Sequence, residues 1–79
     1  MSDTVELSYP LTVDGVEVSA VKLRRATVND LEEVESEKSN LLKTKKLVVL
    51  LTGLPPDEVG NMDAADFATL GDKVADFLG

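Results

Sequence analysis

The segment formed by residues 41–54, with the sequence LLKTKKLVVLLTGL, constrains the fold of this chain more than any other segment. Residues 47–51 are five consecutive apolar residues, which is more than the single apolar stripe of a solvent-exposed helix requires. The segment must therefore be covered from more than one side. In a chain of 79 residues, this cover comes either from short flanking elements or from another protein.

The length of the chain predicts a single domain, residues 1–79, with a thin hydrophobic core. A core of this size rarely supplies more than about 3–5 kcal/mol without cross-links, a metal or a partner. The sequence contains no Cys and no His, which excludes disulfides, thiolate or imidazole metal sites and catalysis by a nucleophile–imidazole pair. Of the usual sources of extra stability, a protein partner remains.

The charge of the chain indicates the kind of partner. Fifteen acidic and eight basic residues give a net charge of -7, which would repel a phosphate backbone or an anionic membrane surface. We therefore expect a basic or mixed protein partner, with no nucleic acid and no membrane. There is no apolar run of about 18 residues, and the N-terminal sequence MSDTVE lacks the order of a secretory signal. These features predict a cytosolic protein.

Residues 4–24 predict a β-hairpin, because apolar and polar residues alternate along them. The pair Asp14-Gly15 favours a tight turn in which both central residues adopt positive φ. The alternation slips at Ala20-Val21, which predicts a β-bulge there. The predicted buried positions are Val5, Leu7, Tyr9, Leu11, Val16, Val18, Ala20 or Val21, and Leu23.

A first helix is predicted over residues 27–37. Thr27 is a good N-cap and Asp30 follows three positions later, which is the pattern of a capping box. Leu31 and Val34 form its apolar edge. The other faces are acidic and are either a docking surface for a basic partner or an ordinary solvated face. The acidic residues are Asp30, Glu32, Glu33, Glu35 and Glu37.

A second helix is predicted over residues 39–52. Gly53 suits a left-handed helix cap, and the Pro55-Pro56 pair cannot continue a helix. Residues 36–40 are polar and are either a break or a continuous helical turn. The β-branched pair Val48-Val49 leaves a buried strand as an alternative, since short apolar runs do not separate the two structures by pattern alone.

The C-terminal part predicts a short helical turn over residues 56–60 and an amphipathic helix over residues 63–78, which Asp63 caps. Because an isolated two-stranded hairpin is marginally stable, it must pack on these helices. The sequence therefore predicts an α+β fold, in which an N-terminal β-hairpin packs on a small bundle of three to four short helices. The last helix places Phe67, Leu70, Val74, Phe77 and Leu78 inside, and Asp66, Asp72, Lys73 and Asp76 outside.

No motif in the sequence predicts catalysis, a cofactor or a metal site. The carboxylates all lie in polar stretches, whereas acid–base catalysis requires one that is desolvated. Asp57-Glu58 and the acids at 63 and 66 do not follow the ligand spacing of a calcium loop. Gly53 and Gly60 are isolated, so they do not form a phosphate-binding loop. We expect a protein that is not an enzyme.

Three motifs, in their order and spacing, resemble a known family. They are LRRATVNDL at residues 23–31 after a VDGV hairpin, LTGLPPDEV at residues 51–59, and MDAADF at residues 62–67 before a C-terminal Phe77-Leu78. Together they resemble the small tail assembly chaperones of contractile-tailed phages and prophages, which include the Mu-like and E-type tail assembly proteins. The resemblance spans almost the whole chain.

Members of that family are encoded beside the tape measure protein, the long helical ruler of the tail, and keep it soluble until tube subunits polymerise around it. The resemblance thus implies that the chain binds an exposed apolar helix in the host bacterial cytoplasm and is absent from the mature virion. A masking groove needs apolar side chains, although ordinary core is the alternative explanation for each candidate, because so small a domain needs most of its apolar residues inside. The candidates are Leu47, Leu50, Leu51, Leu54, Phe67, Leu70 and Val74.

Several alternatives remain open at this point. Many genes of this family also yield a longer product by ribosomal frameshifting, and the final residues DFLG are compatible with a slippery heptamer. A longer form of the chain itself is therefore a further expected partner, and a homo-oligomer is another. The competing functions are a small structural tail or adaptor protein of the virion and an acidic regulator or inhibitor.

Overall fold

A two-stranded antiparallel hairpin followed by four helices makes up the part of the chain that the structure describes, which confirms the predicted α+β fold. This structure is a computed structural model, and it describes the backbone of residues 2–78 and the side chains of residues 4–76. The predicted inner positions Phe77 and Leu78 lie outside the described side chains. The elements are β1 (Ser2–Val13), β2 (Val16–Arg24), α1 (Val28–Val34), α2 (Asn40–Thr52), α3 (Pro56–Gly60) and α4 (Ala64–Leu78).

The hairpin turn has the predicted conformation, since Asp14 and Gly15 have φ values of 51° and 79°. The bulge, however, lies in β1 and not at Ala20-Val21, where the sequence predicted it. The strands pair regularly as far as Glu6 with Ala20, and pairing resumes at Leu11 with Val18. Residues 7–10 thus lie opposite a single residue of β2.

The bulge in β1 has a local cause and a consequence for burial. It includes Pro10, which has no N–H to donate to a β-ladder. Because the extra residues change the alternation of the strand, Tyr9 is 63% exposed, although Leu7 and Leu11 on either side of it are buried. Val16, beside the turn, is also 63% exposed. The predicted burial of Tyr9 and Val16 is therefore wrong.

Asp66, near the start of α4, binds the backbone of the bulge. Its Oδ1 accepts a hydrogen bond from the Ser8 N–H at 2.9 Å, and its Oδ2 accepts one from the Tyr9 N–H at 3.0 Å. The prediction that Asp66 lies on the outer face of α4 is wrong, because this residue is only 4% exposed. The two charge-assisted bonds offset the cost of burying the carboxylate and attach β1 to α4.

A second buried carboxylate, Asp30, attaches β2 to α1. The capping box predicted at Thr27 is present: Asp30 Oδ2 accepts from the Thr27 N–H at 2.8 Å, and Thr27 Oγ1 accepts from the Asp30 N–H at 3.4 Å. Both carboxylate oxygens also accept from Arg24, at 2.7 Å from Nη1 and 2.8 Å from Nη2. Asp30 is 6% exposed, so it is not on a polar face as its sequence position suggested.

Capping residues mark the ends of the first two helices. α1 ends at Val34, three residues before the predicted end, and the next residue, Glu35, is its C-cap. In α2, Ser39 is the N-cap, and Gly53 forms the C-cap with φ 78°, a left-handed conformation that favours glycine. The alternative of a buried strand at Val48-Val49 is therefore wrong.

α2 lies at the centre of the molecule and contacts β2, α1, α3 and α4. At Gly71 of α4, an added Cβ atom would lie 3.4 Å from Cγ2 of Thr44, which is an ordinary van der Waals contact, so α4 packs closely against α2 at this point. The hairpin covers one part of α2 and the helices cover another. The buried apolar residues are Val5, Leu7, Leu11, Val21, Leu23, Val34, Leu47, Val48, Leu51, Val59, Met62, Leu70 and Val74.

The Asp30 carboxylate predicts how stability depends on pH. Hydrogen bonds from the Arg24 guanidinium hold the pKa of Asp30 well below its ordinary value, bonds from Thr27 act in the same direction, and burial opposes them. Unfolding returns this pKa to about 4. The stabilisation is therefore fully present above that pH and is lost as the pH falls from about 4 toward the lower pKa of the folded state.

We expect Asp30→Asn to lower the free energy of unfolding at pH 7 by about 2 kcal/mol, because the capping carboxylate and its charged hydrogen bonds are lost. It should also flatten the decrease in stability between about pH 5 and pH 2. Urea unfolding at a series of pH values measures both effects. Glu33→Gln, on an exposed position of α1, is the control. An unchanged acid dependence in Asp30→Asn would contradict this role.

The Asp66 contacts yield a separate prediction. Asp66→Ala should lower the free energy of unfolding by about 2 kcal/mol, since the bulge loses two charge-assisted hydrogen bonds. Amide hydrogen exchange at Ser8 and Tyr9 should become faster than in the natural protein, while exchange in α2 follows only the global change. Asp72→Ala removes an exposed carboxylate from the same helix and is the matched control. Equal effects of the two substitutions would show that the bonds do not stabilise the bulge.

Candidate partner-binding surface

The two ends of α2 differ in how well the rest of the chain covers them. In the C-terminal half, Leu47, Val48 and Leu51 are at most 5% exposed. In the first turn, Leu41 is 65% exposed and Leu42 is 44% exposed. At about 100° of rotation per residue, Leu42 lies nearly opposite the buried side of the helix. The N-terminal half of α2 therefore presents leucines to solvent.

Two open grooves lie beside these leucines, and we name each after one residue. The Leu50 groove has a volume of about 310 Å³ and the Phe67 groove about 320 Å³. Leu42 and Lys45 line both grooves, so they form a ridge between them, which we call the Leu42 ridge. The Leu50 groove is lined by Glu37, Leu42, Lys45, Lys46, Val49, Leu50 and Pro56. The Phe67 groove is lined by Leu41, Leu42, Lys45, Val59, Gly60, Met62, Ala64 and Phe67.

The size and lining of the grooves favour side chains of a protein partner. Both volumes are at the lower end of the range for small-molecule sites, about 300–1,000 Å³. Their walls are mostly apolar, and their charged residues are confined to the lysines and Glu37. They lack the set of converging polar groups that orients a small ligand or a substrate. Apolar side chains of a docked helix would fit this surface better.

Lysines give the surface its local charge. The Lys46 Nζ lies 3.7 Å from the Glu37 Oε2, and such a partly exposed pair contributes at most about 1 kcal/mol. Lys45 has no carboxylate within 4.0 Å among the side chains of residues 4–76. Its Nζ lies over Gly60, 3.3 Å from the point that a Cβ atom there would occupy. With respect to the described side chains, Lys45 is therefore an unpaired cation between two apolar grooves.

A third depression lies on α1 and has the opposite charge. Val28 is 71% exposed and Leu31 is 39% exposed, and both line this depression together with Glu32 and Glu35. Of the predicted apolar edge of α1, Leu31 is thus exposed, and only Val34 is buried in the core. The two interpretations of the acidic face, a docking surface and a solvated face, both fit this arrangement.

The structure divides the seven predicted partner-binding residues into three groups. Four of them are buried in the core of the chain: Leu47, Leu51, Leu70 and Val74. Leu50 and Phe67 are half-buried and line the two grooves on opposite sides of the Leu42 ridge. Leu54 is half-buried against the core and lines neither groove.

The sequence reasoning did not include Leu41, Leu42 and Lys45 among the candidates. The helical period contained part of the missing signal, because it places Leu42 and Val49 on the side opposite Leu51. It gives no such signal for Leu41, which is exposed because no other element covers the first turn of α2. That absence of cover depends on the tertiary fold.

The described residues form neither a carboxylate cluster suited to a metal ion nor a membrane-spanning helix. Over the described range, no three Asp or Glu side chains come together in a way that could hold a metal ion. None of the helices seen in residues 2–78 is both long and apolar enough to cross a membrane. The Leu42 ridge and its grooves therefore remain the best-supported candidate site.

The division between core and surface predicts that two leucine substitutions in α2 destabilise the fold to different extents. Leu42→Gln should lower the free energy of unfolding by less than about 1 kcal/mol, because a half-exposed side chain is replaced by another good helix former. Leu51→Ala should lower it by about 3 kcal/mol, because it leaves a cavity in the core. Denaturant unfolding followed by circular dichroism measures both. Similar losses from the two substitutions would show that Leu42 is part of the core.

Comparison with known families identifies the chain. A model of the family described as "Phage tail assembly chaperone proteins, E, or 41 or 14" matches residues 4–79, nearly the whole chain. Comparisons with curated proteins and with solved structures give no match. The chain therefore belongs to the phage tail assembly chaperone family, as the motifs in its sequence predict.

Proposed function

We propose that this chain binds the tape measure protein of the phage tail and keeps it soluble while the tail is assembled. The observation that carries this proposal is the pair of apolar grooves on either side of the exposed Leu42, in a chain of the tail assembly chaperone family. The family gives the general role. The tape measure protein is the partner that the resemblance of the motifs implies.

A physical argument supports this partner. A long helical protein with apolar stripes aggregates unless the stripes are covered. A helix that lies in an apolar groove buries such a stripe through side chains spaced three and four residues apart. The chain can present exposed leucines and stay soluble itself because its net charge of -7 keeps copies apart.

The small size of the surface also suits a chaperone, which must release its partner. One side of a standard stable interface covers about 800 Å², or about one sixth of the 5115 Å² surface of this chain. The grooves lie beside one half of α2 and have volumes of about 310 and 320 Å³, so they provide room for a few side chains. Binding of moderate affinity would allow the tube subunits to displace the chaperone as they polymerise.

The setting and the chemistry follow from this role. The chain acts by binding, without catalysis and without a cofactor. It works in the host bacterial cytoplasm and leaves before the virion is complete. The α1 acids and the lysines of α2 do not form one continuous acidic face, which makes the alternative of an acidic inhibitor that imitates nucleic acid less favourable.

Co-expression with the tape measure protein from the same phage tests the proposal. We expect the natural chain to raise the soluble fraction of the tape measure protein severalfold and to co-purify with it. The double substitution Leu41→Gln and Leu42→Gln should remove most of this effect, because it removes the exposed apolar side chains beside both grooves. Gel electrophoresis of the soluble and insoluble fractions measures the result.

Val16→Gln is the matched control, since Val16 is 63% exposed but lines neither groove, and it should leave the solubility unchanged. If the natural chain leaves the soluble fraction of the tape measure protein unchanged, the proposal is contradicted. Mass spectrometry of purified particles gives a second check. Stoichiometric amounts of this chain in the finished tail would instead support the structural tail or adaptor alternative.

A further inference from the structure

The charge of the Leu42 ridge is opposite to the charge of the whole chain. Lys45 borders both grooves, and Lys46 borders the Leu50 groove. The single carboxylate among the groove residues, Glu37, lies 3.7 Å from Lys46. Among the residues that line the grooves, lysines therefore outnumber carboxylates, although the net charge of the chain is -7.

The shape of the site specifies how a partner helix can lie. Leu42 and Lys45 are three residues apart, so they form one row on the surface of α2, with a groove on each side. Helices pack when the ridge of one enters the groove of the other. A helix that crosses the Leu42 ridge would place one apolar side chain in each groove. The residue between them would then lie over Lys45.

A lysine at this position makes the surface selective. Its aliphatic stem adds apolar contact, while its ammonium group must remain solvated or find an anion. A partner that covers Lys45 without supplying a carboxylate leaves a desolvated charge without a partner, and a basic helix is repelled. An acidic side chain between two apolar ones satisfies both the grooves and the ammonium group.

We propose that the Leu42 ridge binds an acidic amphipathic helix, in which two apolar side chains enter the Leu50 and Phe67 grooves and a Glu or Asp between them pairs with Lys45. The inference rests on the proposed function in one respect, since it takes this helix to be a segment of the tape measure protein. It contradicts the expectation from net charge, which favours a basic partner.

A second copy of the chain would be a weaker occupant. Its α1 combines exposed Val28 and Leu31 with Glu32 and Glu35, which is similar chemistry. However, α1 has only seven residues. It is short for a helix that must reach both grooves. A longer helix, such as those of a ruler protein, fits the site better.

Two model peptides test the charge preference. They share one apolar face, with Leu at positions i, i+3, i+4 and i+7, and differ in carrying either Glu or Lys beside that face. Fluorescence anisotropy measures their dissociation constants for the full chain. We expect the Glu peptide to bind at least tenfold more tightly at 50 mM NaCl, with a smaller difference at 500 mM NaCl, since salt screens the pairing.

Substitutions at Lys45 assign the preference to the ridge. Lys45→Gln should remove most of the difference between the peptides, and Lys45→Arg should keep it. Lys22→Gln makes the same change in net charge on an exposed position of the hairpin and should have no effect. Equal binding of the two peptides by the natural chain would overturn the inference. So would a preference that Lys45→Gln and Lys22→Gln reduce equally.

The outcomes separate this inference from the proposed function. If the chain solubilises the tape measure protein but binds both peptides equally, the charge preference is wrong and the proposed function stands. If the Glu peptide is preferred but the tape measure protein stays insoluble, the ridge is confirmed and the proposed partner is wrong. Sedimentation equilibrium tests whether a second copy of the chain binds the ridge. A dimer at micromolar concentration that Lys45→Gln dissociates would assign the ridge to α1 of another chain and overturn the inference.

Discussion

The structure depends on how a chain of 79 residues covers one helix that is apolar on more than one side. The hairpin and the helices contact α2 and together enclose Leu47, Val48 and Leu51. There are too few elements to enclose its first turns as well, so Leu41 and Leu42 remain exposed. The chain itself thus covers the C-terminal half of α2 and leaves the leucines of the first turn exposed.

Two buried carboxylates attach the hairpin to the helices, as cross-links do in other small domains. Asp30 joins the end of β2 to the start of α1 through Arg24 and Thr27, and Asp66 joins the bulge of β1 to α4. Each accepts hydrogen bonds on both oxygens, which is what makes its burial tolerable. Each strand of the hairpin is therefore fixed to a helix by polar contacts, in addition to the apolar face that it shares with the core.

The sequence predicted the elements well because their signals are local. The turn at Asp14-Gly15, the capping box at Thr27 and the glycine cap at Gly53 each act within a few residues, and all three are confirmed. The errors have local and long-range causes. The misplaced bulge reflects the local effect of Pro10 in β1, and the error at Asp66 reflects a long-range contact. Asp66 looks like a surface residue in its own helix, and only a bulge 57 and 58 residues away in the chain explains its burial. The sequence left open what covers the leucines of α2, because a helical period shows which residues share a side but not where the cover ends.

The proposed binding mode separates the local charge of the site from the total charge of the chain. Most acids lie outside the residues that line the grooves, and a net charge of -7 favours solubility. Lys45 and Lys46 line the apolar grooves, where a docked partner would exclude water and strengthen electrostatic pairing. In this proposal the total charge acts on encounters at a distance, and Lys45 acts at contact on which helix is retained. A net charge of -7 is thus compatible with an acidic partner, provided that the partner places its carboxylate at the ridge.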